Sequence, residues 1–437
     1  MLVLKFGGTS VGTSERMRDV LSILNRTEEQ QMVVLSAMAG TTNALVEINA
    51  ELREQRIDSA NSMLETLQGQ YVRTSEELFP DQEEYRSRAL EVVDEVFNYL
   101  SERTTQSLRR DVSKEILAQG EILSTNLFHI LVASEGQESA LLPALDFMRL
   151  DEKSEPFLEK TSALLKPILQ ENGDAPLLIT QGYICRNHWG DIDNLQRGGS
   201  DYTATILGAV LDAEEIQIWT DIDGIHNNDP RIVESTSPVR QLSYREAAEL
   251  AYFGAKILHP TCVIPAEKMQ VPLRLKFTAD PDAAGTIISG DTSTLPITAV
   301  AAKDNITTIN IYSSRMLMAY GFLKKVFQVF EDHKTPVDMI TTSEVAVTLT
   351  IDDVQRLELI KKDLSDFAEI TVKDGYSIIC IVGSELYDNS AHVTKIFTSL
   401  SDVPLRMVSM GGSRHNISLL IKTAYKTKAL QALNQVL

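Results

Sequence analysis

The chain has 437 residues, of which 43% are hydrophobic and 23% are charged, as in ordinary globular proteins. That length predicts two or three domains. The formal net charge of −20 argues against nucleic acid and anionic membranes as partners, because an acidic surface repels both. No apolar run long enough to span a bilayer and no N-terminal targeting signal is recognised.

The three cysteines, Cys185, Cys262 and Cys380, are far apart in the sequence. They predict neither a disulfide framework nor a zinc site, and they suit a reducing cytoplasm. We therefore expect a cytoplasmic protein that holds no metal through its own side chains.

Up to about residue 290 the sequence predicts an α/β fold with a mainly parallel sheet between helices. Short β-rich runs occur at 2–6, 32–36, 176–184, 215–220 and 271–277. The segments between these runs have apolar residues at helical spacing, for example 245–258. Residues 45–115 predict an inserted helical hairpin with solvated charged faces. Ligands in such folds bind at the carboxyl ends of the strands.

From about residue 298 the pattern changes to two similar α+β units. Residues 336–340 parallel residues 404–408, and each copy predicts a strand, a helix and two further strands. The predicted domains are 1–290, 298–365 and 370–437, the last two being a duplicated binding module.

The first motif is LVLKFGGTSVG at 2–12, in which Lys5 precedes Gly7 and Gly8. It is not a Walker A loop, because Thr13 follows Gly12 where that loop requires lysine. A cation beside a bare glycine backbone nevertheless suits a phosphate.

The second motif, RGGSDYTAT at 197–205, places Arg197 before two glycines and a helical pattern. Such a helix start offers N–H groups to an anion, and the guanidinium matches a carboxylate or phosphate. Gly-Ser-Asp is also a routine helix start, so this motif alone leaves both readings open.

Other candidates are equally ambiguous one at a time. Asp221 and Asp223 could order a metal–nucleotide or form Asx turns. Arg231 could hold phosphates or lie on the surface, and Lys256 could simply suit a helix C-terminus. Glu121, in an apolar helix entrance, could receive an ammonium group or act as a capping or surface carboxylate.

Taken together and in order, the motifs resemble the aspartate kinases of the amino-acid-kinase family. The motifs are KFGGTSVG, SAMAGTTN, QGE, RGGSDYTA, WTDIDGI, DPR and FGAKILHP, followed by a region similar to that family's ACT units. The resemblance implies transfer of the ATP γ-phosphoryl group to the β-carboxylate of L-aspartate, the first step toward lysine, threonine and methionine. That carboxylate is ionised at neutral pH, so no general base is needed.

The resemblance also implies residue roles. Catalysis would involve Lys5, Asp201 and Lys256. Aspartate would be bound by Thr42, Glu121, Arg197 and Ser200, with Glu121 receiving the α-ammonium group. ATP would be held by Lys5, Gly7, Gly8, Thr220, Asp221, His226, Arg231 and Lys256, with Mg²⁺ carried mainly by the phosphates.

Two positions depart from the family pattern. Gln196 replaces a glycine before Arg197, which leaves the path of that loop open. His226 stands where an aromatic residue is common beside the adenine, and it could instead be a turn residue.

For the tail, the resemblance implies paired ACT domains that assemble a homodimer or tetramer and bind an amino-acid effector. The implied effector residues are Met316, Gly321, Phe322 and Asp338. Lysine is the expected feedback inhibitor. However, Ala319 stands where serine is typical, so regulation by threonine, or by no effector, is left open as an alternative. Asp338 could also be a solvated turn carboxylate. The alternatives for the whole chain are another carboxylate-directed amino-acid kinase and a catalytically dead ACT sensor.

Overall fold

The computed structural model describes the whole chain except residues 108–110, 196–197, 255–257, 292–294, 315–319, 385 and 387. It forms two compact units. The first comprises 1–225 and 257–290, and the second comprises 226–256 and 291–437. Residues 226–256 thus group by their contacts with the second unit, and the predicted domain 1–290 stays a prediction. The ranges 298–365 and 370–437 stay predictions.

The strands are numbered in chain order. They are β1 (Leu2–Phe6), β2 (Gln31–Leu35), β3 (Ser139–Leu142), β4 (Leu177–Gln181), β5 (Ile184–Arg186), β6 (Ile192–Asn194), β7 (Glu215–Thr220), β8 (Gln241–Ser243), β9 (Leu273–Phe277), β10 (Thr286–Ser289), β11 (Ala299–Tyr312), β12 (Ile340–Thr342), β13 (Ala346–Ile351), β14 (Glu369–Val382), β15 (Leu405–Met410) and β16 (Asn416–Lys422).

The helices follow the same scheme. They are α1 (Ser14–Leu24), α2 (Thr41–Arg53), α3 (Ile57–Leu78), α4 (Glu83–Gln106), α5 (Ser113–Ser134), α6 (Ala144–Phe147), α7 (Leu158–Asn172), α8 (Gly199–Leu211), α9 (Tyr244–Tyr252), α10 (Pro260–Met269), α11 (Phe322–Asp332), α12 (Leu357–Ser365), α13 (Ser390–Ser399) and α14 (Lys426–Asn434).

The first unit contains a mainly parallel sheet with the order β3-β4-β2-β1-β7-β9-β10, as the sequence predicted. Its strands pair in parallel up to β9, and β10 is antiparallel to β9. Successive side chains of a strand face opposite sides. Leu4 and Phe6 therefore join the core beneath α1–α5, and the other face of β1 packs against α8.

Helix α5 is long and apolar enough to cross a membrane, but 72% of its most apolar window is buried inside the protein. Its apolar residues Leu123, Leu127 and Leu131 belong to the core of the first unit. The apolar composition of α5 is thus explained by packing within this fold.

The second unit contains an antiparallel sheet with the order β12-β13-β11-β14-β16-β15. The central strands β11 and β14 have 14 residues each, and each contributes to two separate cores. Val300 and Ile379 lie in one core with β16, whereas Ile309 and Val372 lie in the other with α11 and α12. The two α+β halves therefore share both central strands.

The predicted helix 245–258 is shorter in the structure, because α9 ends at Tyr252. Gly254 has φ +127°, and a Cβ there would lie 2.2 Å from the carbonyl oxygen of Ala302. This close approach to β11 requires glycine and ends the helix.

Candidate active site

The predicted phosphate motif lies where β1 ends, between β2 and β7. Lys5 pairs in register with Val34 of β2 and Ile218 of β7. A Cβ placed on Gly7 would lie 3.5 Å from Lys5 Nζ, so the lysine side chain extends over the glycine turn. This geometry puts a cation beside exposed peptide groups at the carboxyl end of a parallel sheet.

The turns after β1 and β2 are in direct contact. Ala39 N donates to Gly8 O at 3.0 Å, and a Cβ on Gly8 would lie 2.7 Å from Ala37 O. Any side chain at Gly8 would therefore separate the two turns.

A cavity of about 720 Å³ opens between these turns, α5 and the start of α8. Its walls include four residues that the sequence analysis assigned to substrate or nucleotide, namely Gly8, Thr42, Glu121 and Ser200. The others are Thr9, Ser36, Ala37, Met38, Ala39, Gly40, Tyr183 and Gly199.

Lys5 forms an ion pair with Asp201, with 2.6 Å between Nζ and Oδ1. The two side chains are only 12% and 14% exposed. Asp201 lies in the first turn of α8, whose second residue, Ser200, lines the cavity. The pair therefore holds the Lys5 ammonium next to the cavity, where its charge is weakly screened.

Glu121 is the buried carboxylate of this cavity, with 3% of its surface exposed. It lies in the middle of α5, not at the helix entrance predicted from the sequence. Oε1 accepts from Ala37 N at 3.3 Å, whereas Oε2 has no hydrogen-bond partner within the described ranges. Burial raises the pKa of Glu121 to about 8. A buried carboxylate that lacks a partner is a suitable site for an ammonium group.

Two helices begin at the cavity wall. Gly40 is the N-cap of α2 with φ 84°, and Gly198 is the N-cap of α8 with φ 70°. Thr42 and Ser200 each occupy the second position of their helix. Helix N-termini present N–H groups and a positive dipole end, so this wall favours an anionic ligand.

Sequence reasoning missed Tyr183, which lines the cavity with a left-handed backbone, φ 66°. Its N–H donates to Thr203 Oγ1 at 2.9 Å, and a Cβ on Gly199 would lie 2.4 Å from the Tyr183 ring. The turn after β4 is therefore packed closely against the N-terminus of α8. The glycine in QGY, directly before the tyrosine, was the available sequence signal.

Thr220 and Asp221 lie at the carboxyl end of β7, the neighbour of β1. Thr220 Oγ1 lies 3.2 Å from Asp221 Oδ1, and Thr220 O accepts from both the backbone N–H and the hydroxyl of Thr278. Thr278 Oγ1 lies 3.3 Å from Ser10 Oγ, which connects this strand end to the β1–α1 turn. Sequence reasoning missed Ser10 and Thr278.

The predicted nucleotide residues His226 and Arg231 belong to the second unit. His226 Nδ1 lies 2.8 Å from Thr236 Oγ1. Arg231 is 77% exposed and pairs with Asp229 through two hydrogen bonds of 2.9 and 2.8 Å. Their nucleotide-binding roles stay predictions.

The predicted effector residues also lie in the second unit. Gly321 has φ 81° and is the N-cap of α11. The Phe322 side chain packs in the core against Phe367, so only its backbone is available to a ligand. Asp338 is not a solvated turn carboxylate, because its side chain is 1% exposed and pairs with Lys303.

Three predicted site residues, Arg197, Lys256 and Met316, lie outside the described residues, as do the divergent positions Gln196 and Ala319. Among the residues that the structure does describe, no group of three or more His, Cys, Asp or Glu side chains could hold a metal ion.

Comparison with known proteins gives consistent relationships along the chain. Residues 1–276 match the model of the amino acid kinase family, and residues 379–437 match an ACT domain. The chain is 31% identical to lysine-sensitive aspartokinase 3 of Escherichia coli, over 99% of this chain and 98% of that protein. It is 34% identical to the chloroplastic aspartokinase 1 of Arabidopsis thaliana, over 99% of this chain and 79% of that protein.

Solved structures give the same relationship. The structure of E. coli aspartokinase III with aspartate and ADP, in the R-state, has a TM-score of 0.82 and 30% identity. The same enzyme with lysine and aspartate, in the T-state, has a TM-score of 0.78 and 30% identity. Both comparisons cover 100% of this chain and 99% of the other.

Proposed function

The chain belongs to the amino acid kinase family, and we propose that it is an aspartate kinase, which transfers the γ-phosphoryl group of ATP to the β-carboxylate of L-aspartate. The observation that carries the proposal is a cavity lined by two helix N-termini and the unpartnered Glu121 carboxylate, with the Lys5–Asp201 pair next to its Ser200 wall. These groups match the charges of an amino acid and a phosphate.

In this proposal Glu121 receives the α-ammonium group of aspartate. Its unpartnered Oε2 and its burial favour pairing with that ammonium group, because the charges are weakly screened there. Thr42 and Ser200 lie on the same wall and can donate hydroxyl hydrogen bonds to the carboxylates. Arg197, which immediately precedes the α8 cap, would clamp a carboxylate of the substrate.

The β-carboxylate of aspartate has an ordinary pKa of about 3.9, so it attacks phosphorus without a general base. Catalysis then depends on position and on charge stabilisation during phosphoryl transfer. Lys5 stabilises the transferring group while Gly7 and Gly8 allow close approach of the backbone. Asp201 orients Lys5, and Thr220, Asp221, His226, Arg231 and Lys256 are the proposed contacts of MgATP, in which the phosphates carry the metal.

For regulation we propose that lysine binds to the tail and inhibits. The support is the similarity to an enzyme named for lysine sensitivity and to its lysine complex. We also propose that the chain forms a homodimer or tetramer through its ACT domains. A cytoplasmic location is proposed as well, because it suits three free buried cysteines.

The test is a hydroxamate assay for acyl phosphate, with ATP and each of aspartate, glutamate and N-acetylglutamate. We expect product with aspartate and at most trace product with the other two. Product with glutamate or N-acetylglutamate in place of aspartate would identify a different carboxylate kinase. Absence of product with all three would support a catalytically inactive sensor.

A further inference from the structure

Asp338 lies between α11 and β12, and its two carboxylate oxygens have different environments. Oδ1 is 2.7 Å from Lys303 Nζ and accepts from the Tyr252 hydroxyl at 3.0 Å. Oδ2 is buried and has no hydrogen-bond partner in the part of the chain that the structure describes. A buried carboxylate oxygen without a partner is unfavourable, so this position favours one more donor.

Lys303 has a second partner. Its Nζ lies 2.9 Å from Asp352 Oδ2 and 4.6 Å from the centre of the Tyr252 ring. We call Asp338, Lys303, Asp352 and Tyr252 the Asp338 cluster. Since Lys303 can keep Asp352 and the aromatic ring, it can leave Asp338 without becoming an unpaired buried charge.

The cluster holds the end of α9. Tyr252 is the last residue of that helix, and its hydroxyl is tied to Asp338. Earlier in α9, Thr298 donates to Glu246 at 3.0 Å and Asn416 donates to Glu249. Helix α9 is therefore tied to Thr298 just before β11, to Asn416 at the start of β16 and, at its carboxyl end, to Asp338.

We infer that Asp338 is an exchangeable anchor: the primary ammonium group of an amino-acid effector binds Asp338 and displaces Lys303 and Tyr252 from it. The free Oδ2 gives the incoming ammonium a first hydrogen bond, and Asp352 takes over Lys303. The Tyr252 hydroxyl then loses its bond to Asp338, which frees the carboxyl end of α9. The inference rests on the proposed effector regulation and names the chain's own competitor for that ligand.

Competition makes a specific prediction for binding. A Lys303→Met substitution removes the internal ammonium, so Asp338 becomes more available to an external one. Burial raises the pKa of Asp338, so a mildly alkaline buffer favours its ionised form. Isothermal titration of the full chain in that buffer with L-lysine, and separately with L-threonine, measures the effect. We expect the variant to bind at least one of the two between about 5- and 150-fold more tightly than wild type, the usual range of coupling between sites.

Three further variants make the test specific. Lys303→Arg retains the charge and should bind like wild type, and Lys422→Met removes an exposed lysine of the same sheet as a matched control. Tyr252→Phe removes only the hydroxyl, so it should tighten binding more modestly and reduce the maximal inhibition.

Binding by a folded Lys303→Met protein that equals wild type or is weaker would overturn the inference, as would no binding of either amino acid to that variant. If Lys303→Met does not fold, the test uses Tyr252→Phe, and binding by that variant equal to or weaker than wild type would overturn the inference. A protein that binds the amino acid as expected but makes no aspartyl phosphate would refute the proposed kinase activity and leave this inference standing.

Discussion

Lys5 and Asp201 form an ion pair of 2.6 Å across two elements, the end of β1 and the first turn of α8. The pair connects the glycine turn of the proposed phosphate site to the wall of the proposed aspartate site. It fixes the direction of the Lys5 ammonium, because a lysine side chain is otherwise flexible.

Lys5→Met should lower kcat by about 10²–10³-fold, the usual effect of removing one group that stabilises transition-state charge. The KM for aspartate should change little, since Lys5 acts on the transferring group. Steady-state kinetics of Lys5→Met and of the exposed-lysine control Lys268→Met would measure this. Near wild-type turnover in Lys5→Met would remove Lys5 from the catalytic site.

Arg197→Ala should have the opposite kinetic signature. If Arg197 clamps a substrate carboxylate, its loss should chiefly raise the KM for aspartate and affect kcat less. Steady-state kinetics with varied aspartate and saturating ATP would measure both constants. An unchanged KM for aspartate would contradict the assigned role.

The affinity for aspartate should increase as pH rises toward about 8. Burial raises the pKa of Glu121 to about 8, so the free site is mostly protonated at neutral pH. Binding of an ammonium group requires the ionised form and therefore releases a proton. Between about pH 6 and pH 8 the KM for aspartate should fall by up to tenfold per pH unit. Glu121→Gln should raise that KM and abolish its pH dependence, and a persistent dependence would point to another group.

Glu121 should also destabilise the folded protein at alkaline pH. Because its folded pKa exceeds the ordinary glutamate value of about 4.3, the folded state binds more protons between these two values, and stability falls as pH rises through this window. Glu121→Gln should raise the melting temperature above about pH 8 and have little effect near pH 4. The exposed Glu65→Gln is the control, and equal shifts in both variants would argue against a burial effect.

Gly8→Ala should impair activity because its Cβ would lie 2.7 Å from Ala37 O and separate the two turns at the cavity. Gly69→Ala, inside α3 with ordinary 3.7 Å contact to Arg73, should preserve activity and gain about 0.5–1 kcal/mol in stability. Activity and thermal melting of both variants would distinguish a local effect from unfolding. Full activity in Gly8→Ala would show that the turns can separate without harm.

Local patterns predicted the first unit well. The runs at 2–6 and 215–220 coincide with β1 and β7, because short length, β-branched and aromatic residues and flanking turn signals together indicate a buried strand. The place of Glu121 was not predictable in this way. The burial of Glu121 depends on close packing of α5 against Ala37, a residue distant in sequence. Gly120 permits this packing, because a Cβ there would lie only 2.9 Å from the Cβ of Ala37.

The second unit shows the same limit. The repeat predicted two similar α+β units, but it did not predict that β11 and β14 pair along their lengths and serve both cores. Likewise, Asp338 resembled a turn carboxylate because its partners Lys303 and Tyr252 are 35 and 86 residues away in sequence. Non-local pairing of this kind leaves no signal in a local window.

The most direct measurement of the central claim follows oxygen from substrate to phosphate. The enzyme is incubated with ATP and aspartate labelled with ¹⁸O in the β-carboxylate, and the acyl phosphate is cleaved at its carbonyl carbon by hydroxylamine. Attack by the carboxylate on phosphorus predicts one ¹⁸O atom in each phosphate released, visible by ³¹P NMR or mass spectrometry. Unlabelled phosphate would show that water attacks instead, and it would contradict the account.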